Sequence, residues 1–271
     1  MTTKQHLIVL DLDGTLLTDA QIISPRTKEM IQKAQQQGHL VMIATGRPYR
    51  ASDVYYHELG LNTPIVNFNG AYVHNPSDRN YRVDHTPIDL GVVHDVVSSV
   101  NHFEVENIIA EIKDDVYIHR DDERFTQIIN MGNPKVIKGD LAQTLPANPT
   151  TMLIQAHEAR VASIRDHLEE VHAELIDHRR WGAPFHIIEV VKQGLNKAVG
   201  LSRIAQEFGV PRDRIIAFGD EDNDLEMIEY AGVGVAMGNG ISELKNIANE
   251  ITKTNNEDGI ALILQDRLRL K

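Results

Sequence analysis

The chain has no cysteine. Disulfides, thiolate catalysis and Cys-ligated zinc are therefore excluded. Basic charge is in short supply: 27 Lys and Arg stand against 39 Asp and Glu, a formal net charge of -12. That balance argues against nucleic acid and anionic membrane surfaces as partners, because both are bound through clustered Lys and Arg. Long apolar runs are missing too. No stretch approaches the ~20 residues of a membrane span, and the first apolar segment, 7–10, is too short for a signal-peptide core. No internal repeat or low-complexity tract is present. A cytoplasmic protein is expected, as a monomer or small homo-oligomer. Tryptophan occurs once, at Trp181 beside Arg179 and Arg180; it reads first as a packing anchor and second as a platform for a sugar.

What is present fits a packed globular protein, with 42% apolar and 24% charged residues among 271. Leu7 to Leu10, Leu40 to Ala44 and Pro64 to Phe68 read as buried strands. Between them, Ser24-Pro25 opens a helix that ends at Gly38, and a second helix is expected over about Arg50–Leu59, closed by Gly60. The C-terminal end has the same texture. Helices are expected over Lys197–Phe208, Asp222–Tyr230 and Ser242–Ala248, with strands at Arg214–Phe218, Val233–Met237 and, briefly, Glu250–Thr254. Alternating strands and helices imply right-handed crossovers and a parallel sheet.

The middle of the chain differs. Asn107–Ile112 and Val116–His119 flank Asp114-Asp115 as a hairpin, and Thr151–Gln155 and Phe185–Val190 read as further strands. Leu90–Val100, Asp122–Ile129 and Glu158–Val171 are helical candidates. The expected organisation is a doubly wound, Rossmann-like α/β core over 1–83 and 190–271, with an α+β module inserted over 84–189.

Four short segments are each expected to follow a buried strand of the parallel module. The carboxyl ends of strands in open α/β sheets form the binding crevice, so the four are expected to converge. In Asp11-Leu12-Asp13-Gly14-Thr15, a period of two would direct Asp11 and Asp13 alike. Paired carboxylates need a cation or a shared proton, and magnesium is the hard ion that carboxylates and phosphate hold together. One carboxylate could attack phosphorus and the other move protons; an acidic strand end is the bland alternative. Thr45-Gly46-Arg47 offers a hydroxyl and backbone N–H groups to phosphate, or is only a turn. Lys197 could neutralise phosphate and acidic groups, or be a solvated helix lysine. Gly219-Asp220-Glu221-Asp222-Asn223-Asp224 packs four acidic residues into five positions, which the helix dipole explains only in part.

Together these segments resemble the haloacid dehalogenase-like superfamily, and within it the Cof-type, subfamily IIB sugar phosphatases. The matching stretches are 11–17, 44–47, 69–71, 194–197, 219–224 and 236–239, with the tail at 252–261. The resemblance implies a Mg2+-dependent phosphatase acting on small phosphorylated metabolites, sugar phosphates first, through an aspartyl-phosphate. It implies Asp11 as nucleophile and metal ligand, Asp13 as general acid/base and metal ligand through its carbonyl, and Asp220 as the third metal ligand. Thr45 and Lys197 would hold phosphate, Asn223 would contact it, and Asp224 would orient Lys197 or a metal-bound water. Gly14, Gly46 and Asn69 would line the crevice. With about 30 residues between Asp13 and Thr45, the cap belongs in the long span between Arg47 and Lys197. A phosphomutase of the same superfamily and a phospho-accepting receiver-like protein are the competing readings. Cap placement weighs against the mutase. The position of Asp11 after the first strand weighs against the receiver. His119, His178 and His186 are read as surface or packing residues, and Gly232-Val233-Gly234-Val235 lacks the register of a dinucleotide loop.

Overall fold

The computed structural model describes residues 5–120, 130–181 and 186–270. The chain forms two compact units: residues 1–47, 52–83 and 196–271 make one, and residues 48–51 and 84–195 the other.

In the first unit, strands β1 (Leu7–Leu10) and β2 (Leu40–Ile43) lie side by side in parallel, Leu7 opposite Leu40. Ala44 bridges in parallel to Val66 of β3 (Ile65–Asn67), which turns back into β4 (Tyr72–His74). On its other side the first strand pairs in parallel with Ile215–Gly219, followed outward by Val233–Ala236 and Glu250–Ile251. One face of this sheet presents Leu7, Val9, Met42, Ala44 and Ala217 to Leu201 and Ile204 of helix Lys197–Glu207 and to Met227 of helix Leu225–Tyr230. The intervening Ile8, Leu10, Ile43 and Phe218 are equally buried, as a strand covered on both faces requires. Helix Pro25–Gln36 packs on Leu40–Ile43 and on helix Gly259–Leu268, and neither helix joins the first cluster. The sheet is therefore doubly wound. Ser24 caps the Pro25 helix by accepting from the Thr27 N–H at 3.1 Å, and Gly38 leaves it at φ +87°.

The second unit is a six-stranded sheet in the order 176–180, 187–192, 151–155, 107–112, 115–118, 136–138, antiparallel except for its last pair. Helices Leu90–Val100 and Glu158–His172 cover one face, with Val96, Val100, Ile164 and Leu168 on Ile108, Ala110, Met152 and Val190. The alternate residues Ile109, Val116, Leu153 and Ile187 line the opposite face with Trp181, whose indole N–H donates to Glu189 at 3.0 Å. That is a packing anchor. The expected Asp122–Ile129 helix lies outside the described residues, as does Phe185 of one expected strand.

The expected Arg50–Leu59 helix is shorter, Asp53–Glu58. The reason is tertiary. Arg50 belongs to the second unit: its backbone N–H donates to Asp114 Oδ1 at 2.8 Å and its guanidinium to buried Glu111 at 2.7 Å. Tyr49–Ala51 form a separate 3-10 turn, and the α-helix starts only after Ser52. Strand Ile187–Lys192 also lies wholly in the second unit, because it pairs with Thr151–Gln155 and Ile176–Arg180.

Candidate active site

Strand β1 ends at Leu10, so Asp11 sits at the carboxyl edge of a fully buried strand. The chain does not continue as a strand. Gly14 turns at φ +70°, and the Leu16 and Leu17 N–H groups reach back to the carbonyls of Asp11 and Leu12. The two carboxylates therefore take different partners. Asp11 is buried and bonds Lys197, while the side chain of Asp13 is half-exposed and bonds Arg47.

Lys197 opens its helix behind Asn196, whose side chain accepts the Val199 N–H at 3.1 Å. It is no solvated lysine: its exposure is 0%. Its ammonium donates to Asp11 Oδ1 at 2.6 Å and to Asp224 Oδ1 at 2.7 Å. Asp224 Oδ2 accepts from the backbone N–H groups of Asp220 at 2.9 Å and Glu221 at 3.2 Å. Both Asp224 oxygens are thus engaged in fixing Lys197 and the turn. Asp220 follows the strand Ile215–Gly219 and accepts the Thr15 hydroxyl at 2.6 Å.

Asp11, Asp220 and Asp224 bring carboxylate oxygens within 4.8 Å of one another, all buried. Burial lifts Asp11 well above the usual carboxylate range, opposed by Lys197 and reinforced by Asp224 and Asp220. Burial likewise lifts Asp220, to about 7, against the Thr15 hydrogen bond and with help from Asp224. Burial alone would depress Lys197, but Asp11 and Asp224 outweigh it and hold the ammonium charged. Three carboxylates against one ammonium leave the cluster short of positive charge. The donor set is all oxygen, hard and anionic, and suits magnesium. Asp11 and Asp220 are the members whose oxygens are not both taken within the cluster.

The remaining expected residues gather beside this cluster. Thr45 is buried; its N–H donates to Val66 and its hydroxyl accepts the Arg47 N–H at 3.1 Å. Phe68 and Asn69 both sit at φ +51°, a conformation costly for side chains with a Cβ. Gly70 follows at φ +104°, where a Cβ would meet the Asn196 carbonyl oxygen at 2.4 Å. This strained turn brings the Asn69 N–H to the Thr45 carbonyl at 3.1 Å and its side chain to Asn223 at 3.0 Å. A Cβ on Gly46 would lie 3.2 Å from Asn69, and one on Gly14 only 2.1 Å from Asp220 Oδ2. Gly46, Asn69 and Asn223 are therefore together, and Gly14 is beside Asp220. Thr15 and Arg47 were assigned no role from sequence. Both lie inside the recognised motifs, and that was the signal available.

A parallel, doubly wound sheet with a buried Asp–Lys–Asp chain at its carboxyl edge suits an enzyme of phosphoryl-transfer type. Residues 8–264 match the haloacid dehalogenase-like hydrolase family, and the chain belongs to it, in its Cof-type branch. It is 54% identical, over 100% of both chains, to the 5-amino-6-(5-phospho-D-ribitylamino)uracil phosphatase YitU of Bacillus subtilis. It is 30% identical to a second Bacillus subtilis phosphatase with that substrate in its name, YwtE, over 96% of this chain and 97% of the relative. A solved haloacid dehalogenase-like hydrolase from Bacteroides thetaiotaomicron superposes with a TM-score of 0.85 at 27% identity, over 97% of this chain and 100% of that one. The enzyme class is that of a phosphatase.

Proposed function

We propose that the chain is a magnesium-dependent phosphatase whose nucleophile is Asp11, acting on a phosphorylated sugar alcohol such as 5-amino-6-(5-phospho-D-ribitylamino)uracil. The observation that carries the reading is the buried Asp11–Lys197–Asp224 chain beside Asp220. The substrate class rests on relatives, YitU and YwtE among them, that carry that compound in their names.

Asp11 attacks phosphorus in line, forming an Asp11 Oδ–P bond as the ester P–O bond breaks. Asp13 gives its proton to the departing alkoxide oxygen. A water then attacks the phosphoaspartate, Asp13 takes its proton, and phosphate leaves with Asp11 restored. Lys197 pairs with phosphate oxygens while its bond to Asp224 keeps it in place. Thr45 and Asn223 supply donors to the same oxygens, and Gly14 and Gly46 leave room where a side chain would intrude. Asp11, Asp220 and the carbonyl of Asp13 would hold magnesium, which supplies charge neutralisation at the phosphoryl group when bound.

The test is phosphate release from 5-amino-6-(5-phospho-D-ribitylamino)uracil and from p-nitrophenyl phosphate, with magnesium and with a chelator. Magnesium-dependent turnover of both, with the higher kcat/KM on the ribityl ester, is expected. Turnover that survives chelation contradicts the metal assignment, and a preference for other phosphate esters contradicts the substrate class.

A further inference from the structure

Arg47 makes the one contact to Asp13 among the described residues. Its Nε donates to Asp13 Oδ2 at 2.7 Å and its Nη2 to Oδ1 at 2.5 Å, a two-point fork that fixes both the place and the plane of the carboxylate. Arg47 is itself held on every side. Its N–H donates to the Thr45 hydroxyl, its carbonyl accepts from Asn67 Nδ2 at 2.9 Å, and its guanidinium lies 5.7 Å from the Tyr55 ring centroid and bonds Gln21. Tyr55 in turn donates to the Gln21 carbonyl at 3.0 Å. The arginine side chain is 12% exposed and that of Asp13 is 53% exposed. A half-exposed aspartate on a loop beside a left-handed glycine thus borrows its order from a nearly buried arginine.

Given the role proposed for Asp13, we propose that Arg47 is a positioning residue for the proton-transfer step. As the ester P–O bond breaks, the proton moves from the Asp13 carboxyl to the leaving alkoxide oxygen, and negative charge appears on Asp13. The guanidinium fork is arranged to receive that charge. The same fork then presents the carboxylate to the water that opens the phosphoaspartate. Lysine cannot reproduce a two-point fork.

The role matters only when the leaving group needs a proton. The experiment measures kcat/KM, which reports the first chemical step, for a series of phosphate monoesters from p-nitrophenyl to simple alkyl leaving groups. The proteins are wild type, R47A, R47K and D13N, each checked for an unchanged melting transition. The expected result is a steeper dependence on leaving-group pKa in R47A, with alkyl esters losing about 10-fold or more beyond the p-nitrophenyl ester, and R47K falling between. D13N should steepen the dependence at least as much. Parallel lines for R47A and wild type, with D13N steepened, overturn the role of Arg47 and leave Asp13 as the acid. Parallel lines for D13N remove the acid assignment and this inference with it.

Discussion

Thr15 shows how much of this site rests on single hydrogen bonds. Its hydroxyl, 2.6 Å from Asp220, opposes the rise that burial imposes on that carboxyl. In the proposed site metal binding needs the Asp220 carboxylate, so protons would compete with magnesium below its pKa of about 7. The affinity for magnesium is expected to weaken as pH falls through about 7. Thr15→Val removes the bond that favours the ionised form. It should move that weakening to higher pH and lower the affinity at neutral pH by roughly 10-fold. Magnesium titrations of turnover across this range check both; an unchanged titration in Thr15→Val places Thr15 outside the metal's support. Thr15 could not be assigned from sequence because its partner lies 205 residues away. The shared direction expected for Asp11 and Asp13 was not legible either: alternation directs them alike only while the chain stays extended, and the strand ends at Leu10.

The central parallel strands of the core were legible because each is an uninterrupted apolar run, as a strand buried on both faces requires at Leu7–Leu10 and Ile215–Phe218. Helix ends were legible where a cap had a mechanism, as at Ser24 and Gly38. The segment 48–51 was not. Nothing local marks Arg50 for the second unit, since its partners Glu111 and Asp114 are more than 60 residues further on. The Arg50–Glu111 pair is nearly buried on both sides, with exposures of 5% and 6%. Burial pushes Glu111 up and Arg50 pulls it back. Arg50→Ala would strand that carboxylate and is expected to cost about 3–5 kcal/mol. Denaturant unfolding checks this, and a loss below about 1 kcal/mol would mean that water or a shifted side chain replaces the guanidinium.

Across the whole molecule the histidines set the acid limit. Burial holds His39, His85, His172 and His178 below the ordinary value of 6.5; neighbouring cationic groups add to it, and carboxylates beside His172 and His178 oppose it. The unfolded chain then binds more protons than the native one below about 6.5, so this contribution is complete above that pH and is lost as pH falls. With magnesium filling the proposed site, so that Asp11 and Asp220 stay ionised, melting temperature is expected to fall from about pH 6.5 to about pH 5, the raised Glu111 and Glu221 opposing it in part. A flat profile would mean that these rings protonate in place. No helix among the described residues is long and apolar enough to cross a membrane. The proposed chemistry stands or falls on Asp11. A single turnover in magnesium, quenched in acid and read by peptide mass spectrometry, tests it most directly. One phosphoryl group on the peptide carrying Asp11, absent in Asp11→Asn, is the predicted result. Phosphate release with no phosphorylated peptide at any time, or with the group on another residue, would contradict it.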